Sequence, residues 1–276
     1  MAVGRATNRW ALRVPLVLIA LLTIAVIVGP WLSPHDHETL DTANALQPPS
    51  LATGHWFGTD DLGRDLFTRV MIGGRISLTV GVIATLVSIV IGVIWGATAG
   101  YLGGRVDHLM MRVVDVLYAI PFMFFVILLM VVFGRHFLLI FVAIGAINWL
   151  DMARIVRGQT ISIRQREFVA AAELTGVAAA TIIRRHIVPN LAGVVVVYAT
   201  LTMPQVILIE SFLSFLGLGV QEPLTSWGTL VHQGAQVMEL APWVLLLPAG
   251  FLALALYAFN FLGDGLRDAL EQRYAR

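Results

Sequence analysis

Cysteine is absent from this chain of 276 residues. That excludes disulfides, thiolate metal sites and thiol nucleophiles. Lysine is absent too, so all 18 basic residues are arginines. Without lysine the glycine pairs cannot complete a phosphate-binding loop. Neither H-E-x-x-H nor G-x-S-x-G occurs, so the signatures of a zinc hydrolase and a serine hydrolase are missing. Charge is scarce: 13% of residues are Asp, Glu, Lys or Arg, against about 25% in soluble domains. The net charge of +1 gives no basis for a nucleic-acid partner.

Apolar sequence takes the place of charge, at 58% of residues. Several runs approach the ~20 residues that span a bilayer, and a helix satisfies its own backbone in lipid. The expected fold is an all-α integral membrane protein with six transmembrane helices, placed about 14–32, 76–101, 116–133, 137–150, 193–220 and 242–262. The first run follows Arg5, Arg9 and Arg13 and ends in "GPWLSPHD", with no small-x-small cleavage site. It is read as a retained anchor, not a cleaved signal.

Arginine asymmetry sets the orientation. With the N-terminus inside, 14 of the 18 arginines fall on the inner side, and only Arg64, Arg69, Arg75 and Arg135 fall outside. Both termini, 1–13 and 263–276, are then cytoplasmic. Residues 33–75 form the long outer segment, rich in turn signals and too poor in apolar residues for a core of its own. Residues 76–262 hold five spans, with a cytoplasmic loop at 151–192. Neither repeats nor linkers divide the chain, so 1–276 is expected as one transmembrane domain.

That loop contains "EFVAAAELTGVAAATIIRRHIVPN". Arg184 and Arg185 at mid-bilayer would together cost about 5–7 kcal/mol, so the segment belongs at or outside the inner surface. Phe168, Ala171, Ala172 and Thr175 fall on one helical face made mostly of small residues, which lets another backbone approach. Gly176 is placed to end this helix in a left-handed conformation. A second helix over 178–188 carries Ile182, Ile183 and Ile187 on one side. It is expected to stop before Pro189, because the residue preceding a proline is biased away from helix. A surface amphipathic helix resting on headgroups is the plainer alternative.

The segment resembles the cytoplasmic loop of ATP-binding-cassette importer permeases, with its E-A-A, three residues, G, and later I-x-L-P. Here these positions read Ala170-Ala171-Ala172, Gly176 and Ile187-Val188-Pro189. Ala170 stands where the family usually has Glu. Ala178 and Ala179 stand where polar capping residues are usual. Residues 55–78, 111–121, 210–231 and 263–270 resemble further signatures of C-type permeases of dipeptide, oligopeptide and nickel importers. The resemblance implies a type I importer permease fold in the cytoplasmic (inner) membrane of a prokaryote. It implies a heterodimer with a second homologous permease, two ATPase subunits or domains and an extracytoplasmic solute-binding protein. ATP and magnesium would sit on the ATPases, and no cofactor or metal on this chain. It further implies that Phe168, Ala171, Ala172, Glu173, Gly176, Arg184, Arg185 and Pro189 couple the chain to the ATPase. The solute would be a dipeptide or short oligopeptide, and nickel or a metal chelate is the alternative. An ion-coupled secondary transporter is the alternative of another class.

Other residues carry two readings each. Glu210, an acid within the fifth span, lines the substrate path or merely packs and gates. Asp60, Asp61 and Arg64 offer a docking patch for a binding protein, or a self-paired turn. His35, Asp36 and His37 resemble part of a metal site, but two histidines in a loop are more often just a loop. Asp107, Arg112 and Asp115, and again Asp264, Arg267 and Asp268, read as paired inner faces or as ATPase contacts.

Overall fold

The computed structural model describes residues 9–134 and 137–274, with side chains for 12–134 and 144–271. Arg5, Arg135 and Arg276, which entered the orientation argument, lie outside the described residues. The described chain is helical apart from loops and one isolated bridge between Thr59 and Asp65. It divides into unit 1, residues 1–82 and 203–265, and unit 2, residues 83–202 and 266–276.

In unit 1, α1 spans Arg9–Leu32, and α2 begins at Leu66 and runs to Leu102. The expected start of α2 near 76 is ten residues late. Asp65 caps the helix, its Oδ2 accepting from Thr68 N at 2.9 Å. Two arginines counted in the expected outer segment are satisfied inside the fold: Arg69 by Asp60, and Arg75 by the Val26 carbonyl at 2.6 Å. The core gathers Leu22 and Val26 of α1, Leu66, Val70 and Met71 of α2, Trp227 and Leu230 of α9 (Trp227–Gln236), and Val244 and Ala255 of α10 (Pro242–Tyr274). Trp227 is fully buried, and its Nε1 donates to the Val70 carbonyl at 2.9 Å.

In unit 2, α3 (Gly104–Tyr118) and α4 (Phe122–Phe133) replace the single expected span at 116–133 and meet at 80°. Pro121 is extended at the start of α4, and the chain before a proline avoids the helical region. The expected span 137–150 is the first half of α5, which continues as Phe137–Arg164. Two short helices follow, α6 (Glu167–Leu174) and α7 (Ala179–Ile182). A π-helical turn, Ile183–Ile187, then leads into α8 (Val188–Phe215) without a break.

The expected stop before Pro189 therefore does not occur. A proline clashes with the carbonyl four residues back and lacks an N–H. In the π turn Val188 N bonds to Ile183 O, five residues back. The widened turn eases the clash that the ring would make in a regular α-turn.

Unit 2 is held by a seam between α2 and α5. Gly92, Gly96 and Gly100 recur every four residues, on one face of α2. A Cβ on Gly96 would overlap the Ala153 carbonyl, one on Gly92 would stand 2.6 Å from Met152 Cβ, and one on Gly100 would stand 2.7 Å from Arg157 O. Only glycine permits so close a backbone approach.

Among the described residues, four helices are long and apolar enough to cross a membrane, and the bent α3–α4 pair makes a fifth candidate. Their outward residues, such as Leu16, Val17 and Leu21 of α1 and Val90 and Ile94 of α2, are exposed and apolar, which suits lipid as the surrounding solvent.

Candidate functional site

The loop segment is built on α6. Val169 is fully buried and Ala172 nearly so, in a core with Ile182, Ile187, Leu191 and Val156. The free side carries Phe168, Ala171 and Leu174. The face expected from sequence is therefore split, because Ala172 turns inward and seats the helix. Leu174 is the residue missed: it is 89% exposed. Its apolar character beside a glycine turn was the available signal.

Gly176 stands at φ +77°, as its position after the helix required. Its N–H donates to Glu173 O at 3.0 Å, and Val177 N donates to Ala172 O at 3.2 Å. These two bonds make a Schellman end, with Val177 packed on the same core as Ala172. Glu173 accepts from Tyr101 OH at 3.0 Å. Arg184 and Arg185 are exposed on the π turn, and Pro189 is exposed just after it. His186, not singled out from sequence, lies beside Phe168 with ring centroids 6.3 Å apart.

Glu210 is fully buried in α8. Its Oε2 accepts from Ser77 of α2 at 3.0 Å and its Oε1 from Ser214 at 2.7 Å. Ser77 Oγ accepts in turn from Trp227 N at 3.2 Å, and Ser226 Oγ donates to Ser214 Oγ at 3.2 Å. Ser226 also caps α9. One carboxylate thus joins α2, α8 and the start of α9 through hydroxyls, as a buried acid requires if it is not to stay unpaired.

A second polar centre lies in the segment before α2. Asp60 is 1% exposed, and its Oδ2 accepts from Arg64 Nε at 2.7 Å and also from Arg69. Arg64 Nη1 reaches Glu222 Oε1 at 2.9 Å. That bond, the largest influence on Glu222, holds its carboxyl below the usual carboxylate range. Asp60 and Arg64 are therefore internally paired, and of the three candidate docking residues only Asp61 is exposed. Arg69 and Glu222 complete the centre and were not expected. Asp65 forms a parallel node with Thr68, Ser33 and His55, the His55 Nδ1 standing 3.0 Å from Oδ1.

The three residues considered as metal ligands do not converge on one point. His35 stacks on His55 at 3.9 Å, with its Nε2 3.1 Å from Thr53 O. His37 pairs with Asp36 at 2.9 Å and Glu38 at 3.3 Å. Among the described residues no group of three or more His, Asp or Glu could hold a metal ion. Of the acidic and basic faces, Asp107 pairs with Arg157 at 2.5 Å and Asp115 with Arg154 at 2.7 Å. Arg267 pairs with Glu271, one turn on, at 3.1 Å.

Comparison with known proteins follows the same lines. A family model described as "Binding-protein-dependent transport system inner membrane component" matches residues 88–276. One described as "N-terminal TM domain of oligopeptide transport permease C" matches residues 8–49. The chain is 57% identical to the oligopeptide transport system permease protein OppC of Escherichia coli (strain K12), over 94% of this chain and 85% of that protein. It is 48% identical to the dipeptide transport system permease protein DppC of Bacillus subtilis (strain 168), over 98% of this chain and 83% of that protein. Identity to the oligopeptide permease protein OppC of the same Bacillus strain is 45%, over 97% and 87%.

Proposed function

This chain belongs to the family of binding-protein-dependent transport system inner membrane components, and on that premise we propose that it is the C-type permease subunit of an ATP-driven importer of dipeptides or short oligopeptides. The peptide assignment is supported by the names of its relatives, which transport oligopeptides and dipeptides. Nickel or a metal chelate has no comparable support: His35 Nε2 lies against the Thr53 carbonyl, and both ring nitrogens of His37 lie against Asp36 and Glu38.

The path is a cavity between this subunit and a second, homologous permease, opening alternately to either side. An extracytoplasmic binding protein delivers the solute. Two ATPase subunits hold ATP and magnesium and do the hydrolysis. The observation that carries this reading is α6: an eight-residue helix, rooted by Val169 and Ala172, that leaves Phe168 and Leu174 exposed. A free apolar edge on a well-seated short helix is the shape of an anchor for a partner's groove. Arg184 and Arg185 add positive charge beside it for complementary acids. Gly176 and Pro189 shape the segment and take no part in contact chemistry.

Glu210 acts as a structural joint in this scheme, because its hydroxyl partners enclose it and leave no oxygen toward a solute. That also weakens an ion-coupled carrier, for which Glu210 was the one intramembrane candidate. Co-purification of the tagged complex tests the reading. The Leu174→Asp variant is expected to remain in the membrane with its partner permease and to lose the ATPase subunits. Retention of both ATPases at the wild-type ratio would reject α6 as the dock.

A further inference from the structure

We propose that Tyr101, Glu173 and Arg164 form a latch that fixes the axial position of α6 against the inner end of α2, and that this latch sets how much transport each ATP yields. The proposal rests on the reading of α6 as the ATPase dock and deepens it, naming how the dock's motion enters the membrane helices.

Three helix ends meet at one side chain. Tyr101 is the penultimate residue of α2 and only 6% exposed. Its hydroxyl donates to Glu173 Oε1 of α6 at 3.0 Å. The guanidinium of Arg164, the last residue of α5, lies 5.5 Å from the centroid of the tyrosine ring. All three residues are in unit 2.

The core-facing attachment of α6 is apolar. Val169 and Ala172 press on the core with small side chains. Such contact is non-directional, so it seats the helix without specifying its axial register. A hydrogen bond to a carboxylate weakens steeply with misalignment, so Tyr101–Glu173 fixes the register that packing leaves soft. Arg164 holds the ring from its face, and the glycine seam ties α2 to the α5 backbone. A push on α6 therefore reaches α2 and α5 together, through Tyr101. Tyr101 and Glu173 are positioning residues in this scheme, since neither needs to touch the solute or ATP.

The test uses the complete complex in lipid vesicles, with a radiolabelled tripeptide and simultaneous measurement of uptake and ATP hydrolysis. Tyr101→Phe, outside the docking segment, is expected to keep the ATPases bound, and Tyr101→Phe and Glu173→Ala are each expected to lower tripeptide transported per ATP about tenfold, the scale set by one charged hydrogen bond. Glu173→Gln keeps an acceptor for the tyrosine and restores most of the ratio. The double variant is no worse than either single one, because both remove the same bond. An unchanged ratio in both single variants, or multiplied losses in the double, overturns the latch. So does loss of ATPase binding in Tyr101→Phe, which would make the bond structural only. Leu174→Asp, run in parallel, separates the two ideas. ATPase loss there with unchanged ratios in the latch variants rejects the latch alone, whereas ATPase retention rejects the dock itself.

Discussion

The same chemical change at two glycines should act in opposite directions. Gly96 lies in the seam, where a Cβ would overlap the Ala153 carbonyl and stand 2.9 Å from both Arg157 N and Val156 Cβ. Gly158 lies in α5, where a Cβ would meet nothing within 4 Å. Ordinary contact is ~3.5–4 Å, so Gly96→Ala must part α2 from α5 by about 1 Å. A gap of that size forfeits roughly a quarter to a half of the dispersion along the seam, and overpacking of this kind costs ~1–3 kcal/mol. Against it, replacing a helical glycine by alanine gains about 1 kcal/mol. The net expectation is a loss of about 1 kcal/mol for Gly96→Ala and a gain of up to ~1 kcal/mol for Gly158→Ala. Equilibrium unfolding in mixed detergent micelles, with each variant measured beside the parent, reads both. If the two variants shift stability alike, in either direction, then α2 and α5 are not in backbone contact and the seam argument is wrong.

Two further outcomes follow from the charge network near Glu222. Asp60→Asn removes the buried carboxylate that Arg64 and Arg69 share and leaves them only the half-exposed Glu222, so unfolding in detergent is expected to show a loss of about 3 kcal/mol, while Asp61→Asn stays within ~0.5 kcal/mol. Because Arg64 holds the Glu222 carboxyl below its ordinary range, the pair stabilises fully above the unfolded carboxylate value of about 4.3 and is lost as pH falls through the lower folded value. Melting curves of the parent and Glu222→Gln should therefore differ at neutral pH and converge on acidification. A constant difference down to pH 3 would show that the ion pair is not the source.

The membrane helices were legible because their signal is additive: long apolar runs announce themselves whatever their neighbours do. Their ends were not, because an end depends on who answers a charge. Arg69 and Arg75 count in the outer segment until Asp60 and the α1 carbonyls account for them. Pro121 and Pro189 are equally visible in sequence, yet one marks an 80° bend and the other sits inside a continuous helix. The difference lies in a five-residue π turn that no local pattern predicts. Gly176 was legible, since a left-handed helix end leaves few alternatives. The split of the α6 face was not, because Ala171 and Ala172 are chemically identical and only the direction of the core distinguishes them. Long-range pairs are the least accessible of all. Tyr101 and Glu173 are 72 positions apart and Arg64 and Glu222 are 158 apart, and a single sequence contains nothing that links them. The glycine seam is a different case: its four-residue spacing is plainly written, and only its partner helix is not.

The π turn and Pro189 also have a consequence for how this protein can change over generations. A π turn is an α-helix carrying one surplus residue, and here the surplus makes room for the proline ring. The two are bound as one heritable unit. Deleting one residue from 183–187 returns the ladder to α spacing and sets the Pro189 ring against the carbonyl four residues back, a clash relieved by bending the helix. Replacing Pro189 alone removes the reason for the surplus residue, which then strains a turn for nothing. Either step by itself passes through a worse helix, and only both together give a straight rod in the same rotational phase. Chain length in this stretch should thus be frozen for as long as the proline persists, whereas the loops at either end remain free to lengthen or shorten.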